Sequence, residues 1–488
     1  MDSTLARESD YAHYLWHLHD AGVISLILDG ANEPPRYSVS ASVWDSLYDT
    51  PGPTSLVAVI DNGCTTKHPY LPKTGSDAAL GGLLEAPDFA THDYGATVAP
   101  LHDGVVAPPV EASTTGREGR KNHFDTANAA DGGFWPRIAD FDTQTGIAGL
   151  SDIIGALQTE TGVVRSITTY TDDLPTHGTL LAGVVGARMP GNLATGSANA
   201  IAYYGVDPRC RILPLNTSFR PEFLGLIHAL LYAVGAGADV ICLPRAIYRP
   251  APWDGVVDPH EPHDKRATRI DTDPVLLGQA GIFEKLLLAI AERIPVIVAA
   301  GNNGFRHRTV YTASLAEDAN GIISVGAFNS RQQLSSYTNT ENVTVFAPSD
   351  DAQVWTRDEL RLDQKSRTSH DHVVPKIVGY SSWGVLSTDV PGAFGAEDGG
   401  VKTFETAKHG SGLIQRSQFA PFGGTSAACG IVAGVASLIQ AKHHKLDRKP
   451  MNGAEMKQHF IAHCPKLDDT QAGYPITRID AKACLDAV

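Results

Sequence analysis

Short apolar runs alternate with helical stretches along most of the chain, and this alternation limits the folds that the chain can adopt. Residues 56–60 read Leu-Val-Ala-Val-Ile after a Pro-Gly-Pro turn, which is typical of a strand buried on both faces. Further apolar runs and helical stretches alternate after it, with strands predicted at residues 201–206, 212–215, 240–243, 296–300 and 322–325 and helices at 221–234 and 274–291. Such alternation predicts an α/β fold with a mostly parallel central sheet. Right-handed crossovers place helices on both faces, which gives three layers, α/β/α.

The composition excludes several classes of partner. The 488-residue chain has 54 acidic and 39 basic residues and a formal net charge of −15, so nucleic acid is not expected to bind. The most apolar stretch, residues 223–243, is divided by His228 and Asp239, so no membrane span is expected. The first twenty residues lack the basic start and apolar run of a secretory signal, which predicts a cytoplasmic location. Six scattered cysteines without CxxC pairs then favour free thiols over disulfides or zinc.

Two long irregular segments interrupt the alternation, at residues 67–166 and 350–418. Loops of this length usually carry function. We therefore predict a short N-terminal extension, residues 1–50, that is either a pro-segment or a docking element. One large domain follows, residues 51–488, with both irregular segments as insertions.

Two polar side chains directly follow predicted strands. Asp61 comes after the strand at 56–60, and Asn302 follows the strand at 296–300 through Gly301. Catalytic groups collect at the carboxyl ends of strands in an open parallel sheet. Taken singly, each residue is equally well explained as a turn former.

Two more polar side chains stand at predicted helix starts. His177 lies in Thr-His-Gly-Thr before a helix of small residues, and Ser426 lies in Gly-Gly-Thr-Ser-Ala-Ala before an apolar helix. The free N–H groups and dipole of a helix N-terminus favour a nearby anion. Taken singly, a serine or histidine at such a position is usually a capping residue.

Together, and in the order Asp61, His177, Asn302 and Ser426, these motifs resemble the subtilisin-like serine proteases, the subtilases. The resemblance covers residues 56–488 apart from the two insertions, and it implies a serine endopeptidase. Ser426 is then the nucleophile, His177 the general base and later the acid, and Asp61 the carboxylate that orients the imidazole. The Asn302 amide and the Ser426 N–H hold the oxyanion.

The resemblance also implies a substrate-binding strand at Leu243, Pro244, Arg245 and Ala246, with Gly301 in the same binding site. This segment departs from the usual Ser-Leu-Gly of the family, and Pro244 has no N–H to donate. We therefore predict that an extended peptide pairs with the Pro244 carbonyl and the Ala246 N–H.

Basic residues near this segment have two interpretations. Arg245, together with Arg306, His307 and Arg308 beyond Asn302, either makes the cleft basic and favours acidic residues near the cut, or belongs to a solvated surface. The sequence leaves both interpretations open.

The short extension before the core is similar to that of intracellular subtilases, which predicts a regulated protease with a limited set of protein substrates. The long segment between Asp61 and His177 leads to the hypothesis that the insertion at 67–166 covers the cleft or docks a regulatory protein. No cofactor is expected. Calcium often stabilises the family, but no loop here has convincing ligand spacing, so no metal is assigned. The alternative function is a catalytically silent, subtilase-like binding module, although all four chemical groups are present.

Overall fold

The computed structural model describes residues 15–29, 36–50, 52, 54–65, 68–72, 81–84, 89, 97–98, 176–190, 203–217, 221–247, 274–305, 309–330, 332–350, 384–390, 419–469 and 474–488. Over these residues the strands are β1 (Ile24–Asp29), β2 (Arg36–Ser42), β3 (Leu56–Asp61), β4 (Cys64–Thr65), β5 (Gly82–Leu83), β6 (Thr97–Val98), β7 (Arg211–Asn216), β8 (Val240–Leu243), β9 (Val296–Ala299), β10 (Ile322–Phe328), β11 (Val345–Pro348), β12 (Val385–Thr388), β13 (Phe419–Phe422), β14 (Lys466–Asp469) and β15 (Tyr474–Thr477). The helices are α1 (Trp16–Asp20), α2 (Trp44–Leu47), α3 (Thr176–Gly186), α4 (Phe223–Gly235), α5 (Pro274–Ala291), α6 (Tyr311–Ser314), α7 (Gly424–Lys445), α8 (Gly453–His463) and α9 (Ala481–Asp486).

Seven of the strands form one sheet in the order β11-β10-β9-β8-β3-β7-β5. Every neighbouring pair in this sheet is parallel. Because β3 pairs with β7 on one side and β8 on the other, it lies inside the sheet, and all six of its residues are buried. The predicted buried strand at 56–60 and the predicted parallel sheet are therefore confirmed.

Two hydrophobic clusters cover the two faces of this sheet. In β3, Val57 and Val59 belong to the cluster that contains α3 and α7, whereas Ala58 and Ile60 belong to the cluster that contains α4 and α5. Successive side chains of a strand point to opposite faces, so the two clusters lie on opposite sides of the sheet. The three-layer α/β/α architecture is confirmed.

The strand order brings distant parts of the sequence to one edge of the sheet. Strands β9, β8 and β3 are direct neighbours and run parallel, so the residues that follow them emerge side by side. These residues are Asn302, Pro244 and Asp61 and their immediate neighbours. The edge at the carboxyl ends of these strands is therefore where a site can form.

The N-terminal segment, residues 15–48, packs into the same core as α3 and α7. The Trp44 Nε1 donates to the Val206 carbonyl at 2.9 Å. The Lys445 Nζ donates to the Ser46 carbonyl at 2.9 Å. Lys445 is the last residue of α7 and Ser426 lies in its first turn, so at 1.5 Å per residue about 28 Å separates them. This contact between α2 and α7 is therefore at the end of α7 far from Ser426.

We expect Trp44→Ala to lower the free energy of unfolding by about 3–5 kcal/mol. The indole is 5% exposed and its hydrogen bond to Val206 would be lost. Urea unfolding followed by circular dichroism measures the change. Leu446→Ala is the matched control, because the Leu446 side chain is 44% exposed; it should change stability by less than about 0.5 kcal/mol. Equal effects of the two variants would contradict the burial of the N-terminal segment in the cooperative core.

The structure differs from the sequence prediction at residues 203–206, which form no strand. Their backbone donors bond instead to carbonyls at the end of α3: Gly205 N to Ala187 and Val206 N to Val184, at 2.8 and 2.9 Å. An apolar run can be buried in this way without joining a sheet, which periodicity alone does not distinguish.

Two segments inside the predicted insertions contribute to the folded core. Strand β5 lies within 67–166 and pairs with β7, and β12 lies within 350–418 and pairs with β13. Glycine and proline content therefore placed those boundaries too broadly. The cluster at 117–121 and most of both segments lie outside the described residues.

Among the described residues, one helix is long and apolar enough to cross a membrane, and this is α7. It is wholly buried as the central helix of one face of the sheet. Its apolar character therefore has an ordinary explanation in core packing.

Candidate active site

The site is built around a contact between Asp61 and His177. Asp61 is the last residue of β3 and is fully buried. Its Oδ2 lies 2.8 Å from His177 Nδ1, and its Oδ1 accepts a hydrogen bond from Asn62 N at 2.7 Å. Because a carboxylate accepts, the His177 Nδ1 carries the proton and Nε2 is left as the basic nitrogen.

Three hydrogen bonds fix the first turn of α3, which carries His177. The Asn62 Oδ1 accepts from Gly178 N at 2.8 Å, and Thr65 N donates to Thr179 Oγ1 at 3.0 Å. The Thr388 Oγ1 of β12 donates to the Thr179 carbonyl at 2.8 Å. These bonds hold the start of α3 beside the end of β3, and Asn62, where the family commonly has Ser or Thr, takes part in them.

Gly178 is required by this close approach. A Cβ at position 178 would lie 1.9 Å from the Gly63 carbonyl oxygen, a distance that no substituent tolerates. The glycine after His177 therefore lets α3 approach the chain that follows β3.

Ser426 lies in the first turn of α7 and is 8% exposed. Its Oγ lies 3.4 Å from the Pro244 carbonyl oxygen. Phe422, four residues before it, makes an edge-to-face contact with the His177 ring, with 5.3 Å between ring centroids. The Ser426 hydroxyl thus contacts the Pro244 carbonyl, and the strand that leads into its helix contacts His177 through Phe422.

A second glycine brings the two helices together. Gly430 stands in α7 where the family usually has proline, and a Cβ there would lie 2.8 Å from Leu181 Cδ1 of α3. The glycine therefore permits close packing of α7 on α3.

Thr425 fixes the orientation of the Asn302 side chain. The Asn302 Oδ1 accepts from Thr425 N at 2.8 Å and from Thr425 Oγ1 at 2.9 Å. A backbone N–H can only donate, so the amide oxygen faces Thr425 and the NH₂ group points elsewhere. The Asn302 Nδ2 donor is therefore oriented by the residue directly before Ser426.

Gly301 holds the backbone that presents Asn302. Its φ is +102°, in the region that favours glycine. Its N–H donates to Thr425 Oγ1 at 3.1 Å, and a Cβ would lie 2.4 Å from Val310 Cγ1. Gly301 thus packs against Thr425 and Val310, which hold the backbone directly before Asn302.

We expect Asn302→Ala to lower kcat for peptide hydrolysis by about 10²–10³-fold with little change in KM. An oxyanion donor acts on charge that forms only in the transition state, so its loss affects kcat rather than substrate binding. Steady-state kinetics on a chromogenic peptide measures both constants. Thr425→Val is an informative companion, because it removes the Oγ1 donor to Asn302 and the Oγ1 acceptor for Gly301 N but keeps the bond from Thr425 N to Asn302, and it should give a smaller loss. A rise in KM with unchanged kcat would contradict this role.

The sequence analysis did not identify the contacts at the start of α7. Asp350 accepts hydrogen bonds at Oδ1 from the Tyr337 hydroxyl at 2.9 Å and from Gly424 N at 3.2 Å. A Cβ on Gly423 would lie 2.1 Å from the same Oδ1. A carboxylate beside free N–H groups stabilises the helix start, so Asp350 and Tyr337 help to position Ser426. No local signal marks Asp350, because it lies at the edge of a segment with no regular pattern.

Arg245 was interpreted from the sequence either as making the cleft basic or as belonging to a solvated surface, and for Arg245 the second interpretation is wrong. The side chain is 4% exposed, and Nη2 lies 2.5 Å from Asp61 Oδ1. The reason is that β8 and β3 are neighbours in the sheet, so a long side chain after β8 reaches the carboxylate after β3. Arg306, His307 and Arg308 lie outside the described residues.

The other predicted substrate residues differ in exposure. Leu243 is fully buried in the core beneath α4 and α5, so its side chain faces the core. Ala246 is exposed, and the Pro244 carbonyl faces Ser426. Ala246 is thus the exposed residue of this segment, whereas Pro244 and Arg245 are buried.

The environment of Asp61 keeps its carboxyl group ionised. Burial acts to raise the pKa of Asp61, but the Arg245 guanidinium, followed by the His177 ring and its hydrogen bond, lowers the pKa to about 2. The carboxylate is therefore available to orient the imidazole over the whole range in which proteins of this type work.

Two thiols near the site are unreactive by environment. Burial raises the pKa of Cys64 to about 12, and burial together with Cys242 raises the pKa of Cys429 well above its usual range. Thiols in this state are poor nucleophiles and behave as small apolar groups. All six cysteines are free and buried. The described part of the chain holds no group of three or more potential metal ligands.

A serine hydrolase is the class of protein that this fold and this arrangement define. Residues 52–474 match the family model described as the subtilase family, Peptidase_S8. The chain therefore belongs to the subtilase family and is a serine endopeptidase.

Solved protease structures are similar to this chain at low sequence identity. A lanthipeptide protease is 14% identical with a TM-score of 0.51, over 97% of this chain and 94% of that chain. The nisin leader peptidase NisP from Lactococcus lactis is 14% identical with a TM-score of 0.47, over 98% of this chain and 95% of that chain. A comparison with curated proteins gives no match.

Proposed function

We propose that the chain hydrolyses peptide bonds through an acyl-enzyme, with Ser426 as the nucleophile. The observation that carries this proposal is the contact of His177 Nδ1 with the buried Asp61 carboxylate at 2.8 Å. His177 Nε2 takes the Ser426 proton during attack and then gives it to the leaving amine. Asp61 keeps the ring in the correct tautomer and stabilises the imidazolium.

The tetrahedral intermediate places its oxyanion near the start of α7. There the Asn302 Nδ2 and the Ser426 N–H are the proposed donors. The fixed orientation of the Asn302 amide supports this assignment, because a donor held in place beforehand requires no reorganisation as charge develops.

A peptide substrate binds as an extended strand beside residues 244–246. In extended backbone, the carbonyl of one residue and the N–H two residues later point to the same side. Pairing through the Pro244 carbonyl and the Ala246 N–H therefore needs no donor from proline. The position of the Pro244 carbonyl beside the Ser426 hydroxyl supports this path, since a strand bound there passes the nucleophile.

The remaining predictions about regulation rest on the sequence. A cytoplasmic location, a limited set of protein substrates and docking of a regulatory protein on the insertion at 67–166 stay predictions, and most of that insertion lies outside the described residues.

Reaction with a fluorophosphonate probe tests the proposed function without knowledge of the substrate. The probe should attach to Ser426, located by mass spectrometry of the digested protein, and the attachment should be absent in Ser426→Ala. Ser437→Ala is the matched control, because Ser437 lies buried further along α7; this variant should still be labelled. An unlabelled but folded wild-type protein would favour the silent binding module.

A further inference from the structure

The Asp61 carboxylate is shared between two cationic or potentially cationic partners. Its Oδ2 faces His177 Nδ1 at 2.8 Å, and its Oδ1 faces Arg245 Nη2 at 2.5 Å. Asp61 is fully buried and Arg245 is 4% exposed, so water screens this ion pair much less than a surface pair. The arginine is therefore an integral part of the charge distribution around His177.

The backbone on both sides of Arg245 is held in place. The Thr312 Oγ1 of α6 donates to the Arg245 carbonyl at 3.2 Å. Leu243, two residues earlier, ends the buried strand β8. The Pro244 carbonyl between them lies 3.4 Å from Ser426 Oγ. The dipeptide Pro244-Arg245 thus contacts both ends of the candidate triad, with its backbone at the serine and its side chain at the aspartate.

Two neutral thiols also lie near this carboxylate. In the described part of the chain, the environments of Cys64 of β4 and Cys429 of α7 include Asp61. The Phe422 ring of β13 covers one side of His177. Among the contacts of the described residues, Asp61 therefore faces His177 directly, and Arg245 faces Asp61.

We propose that Arg245 is a positioning residue that orients the Asp61 carboxylate toward His177 and extends the activity of the enzyme to lower pH. A guanidinium on the carboxylate reduces the attraction between Asp61 and a protonated imidazole. This inference rests on the proposed function, because it needs His177 to act as the base for Ser426.

The pH dependence of labelling isolates this effect. In the wild-type protein the pKa of Asp61 is about 2, so loss of reactivity between pH 4 and 8 reports on the base and not on Asp61. Removing the Arg245 charge also raises the pKa of Asp61, so in the neutral variants the midpoint reports on the Asp61–His177 pair as a unit. The second-order rate of fluorophosphonate labelling at Ser426, measured across that range, gives the midpoint of the acid limb. It needs no physiological substrate.

The test uses two substitutions that remove the charge of Arg245 and one that keeps it. In Arg245→Gln and Arg245→Met, the midpoint of the acid limb should rise by about one pH unit, as expected for removing one charge at this distance in a protein interior. Arg245→Lys keeps the charge, so its midpoint should lie close to that of the wild-type protein. Arg293→Met is the matched control: it also removes one positive charge, but Arg293 is exposed and precedes the amino end of β9, at the opposite edge of the sheet. Its midpoint should stay at the wild-type value.

Each outcome bears on the inference. An unchanged midpoint in a folded neutral variant would overturn it while leaving the proposed function intact, since the wild-type protein would still be labelled. Failure of both neutral variants to fold, with Arg245→Lys folded, would also overturn it in favour of a purely structural ion pair. Absence of labelling in the wild-type protein is the separate result that removes the proposed function.

Discussion

Replacing Ser426 by alanine should lower kcat for peptide hydrolysis by about 10⁶-fold, the largest effect that we expect from any single substitution. The Ser426 hydroxyl oxygen is the proposed nucleophile, the atom that would bond to the scissile carbonyl. The thiol of Cys429, three residues later in the same helix, is buried and its pKa is raised well above its usual range, so it offers no substitute nucleophile.

Kinetics on a chromogenic peptide, with thermal unfolding alongside, checks this result. Ser426→Ala should keep the wild-type unfolding temperature within a few degrees, because only one hydroxyl with a single long hydrogen bond to the Pro244 carbonyl is removed. A residual rate above that of water remains expected from the oxyanion donors and from substrate binding. Retention of more than about one part in 10³ of wild-type activity would show that Ser426 is not the nucleophile.

Asp61→Asn should have the second largest effect, with a loss of about 10⁴-fold in kcat. An amide can donate as well as accept, so His177 can bind it in the wrong tautomer, and a neutral group no longer stabilises the imidazolium. In this protein the same change also leaves the Arg245 guanidinium buried without its counter-charge. The free energy of unfolding should therefore fall by about 3–5 kcal/mol.

The double variant Asp61→Asn/Arg245→Met separates the two consequences. Stability should recover in the double variant, because the buried cation is removed together with its partner, whereas activity should not recover. Urea unfolding and steady-state kinetics on the same four proteins complete the cycle. If Asp61→Asn were as stable as the wild-type protein, the buried ion pair with Arg245 would be contradicted.

The pH dependence of stability follows from the same carboxylate. The pKa of Asp61 is about 2 in the folded protein, below its ordinary value near 4. A lowered folded-state pKa contributes stability above the unfolded-state pKa, and this contribution is lost as the pH falls through about 2. The Asp61 pair therefore supports the fold throughout the neutral and mildly acidic range.

The sequence predicted the elements whose signals are local. Strand β3 is an uninterrupted apolar run, and α5 begins and ends where the helical stretch at 274–291 does. The glycine after His177 and the two glycines shortly before Ser426 predict a close approach of neighbouring backbone, because glycine has no side chain. In contrast, the run predicted as a strand at 201–206 has the apolar content of a strand, and only hydrogen bonds to the end of α3 show that residues 203–206 join no sheet.

The candidate site likewise contains residues that the sequence marks and residues that it does not mark. Each of the four predicted catalytic residues follows a strand or begins a helix, and the neighbouring residues predict that position. These residues are Asp61, His177, Asn302 and Ser426. The partners that orient them are not marked in this way. Thr425 and Asp350 carry no local signal in the sequence. The fold places Thr425 against Asn302 and Asp350 against Gly424.

Arg245 shows most clearly what the tertiary structure decided. It lies 184 positions from Asp61 in the chain, and in sequence it is one cation in an irregular segment. Because β8 and β3 are neighbours in the sheet, Arg245 is the buried partner of the Asp61 carboxylate. Hydrophobic periodicity and turn chemistry act between near neighbours, and so the sequence by itself determined the elements and the reactive groups. The pairing of buried charges depends on which strands become neighbours, because a charge removed from water must find its counter-charge wherever the fold has placed one.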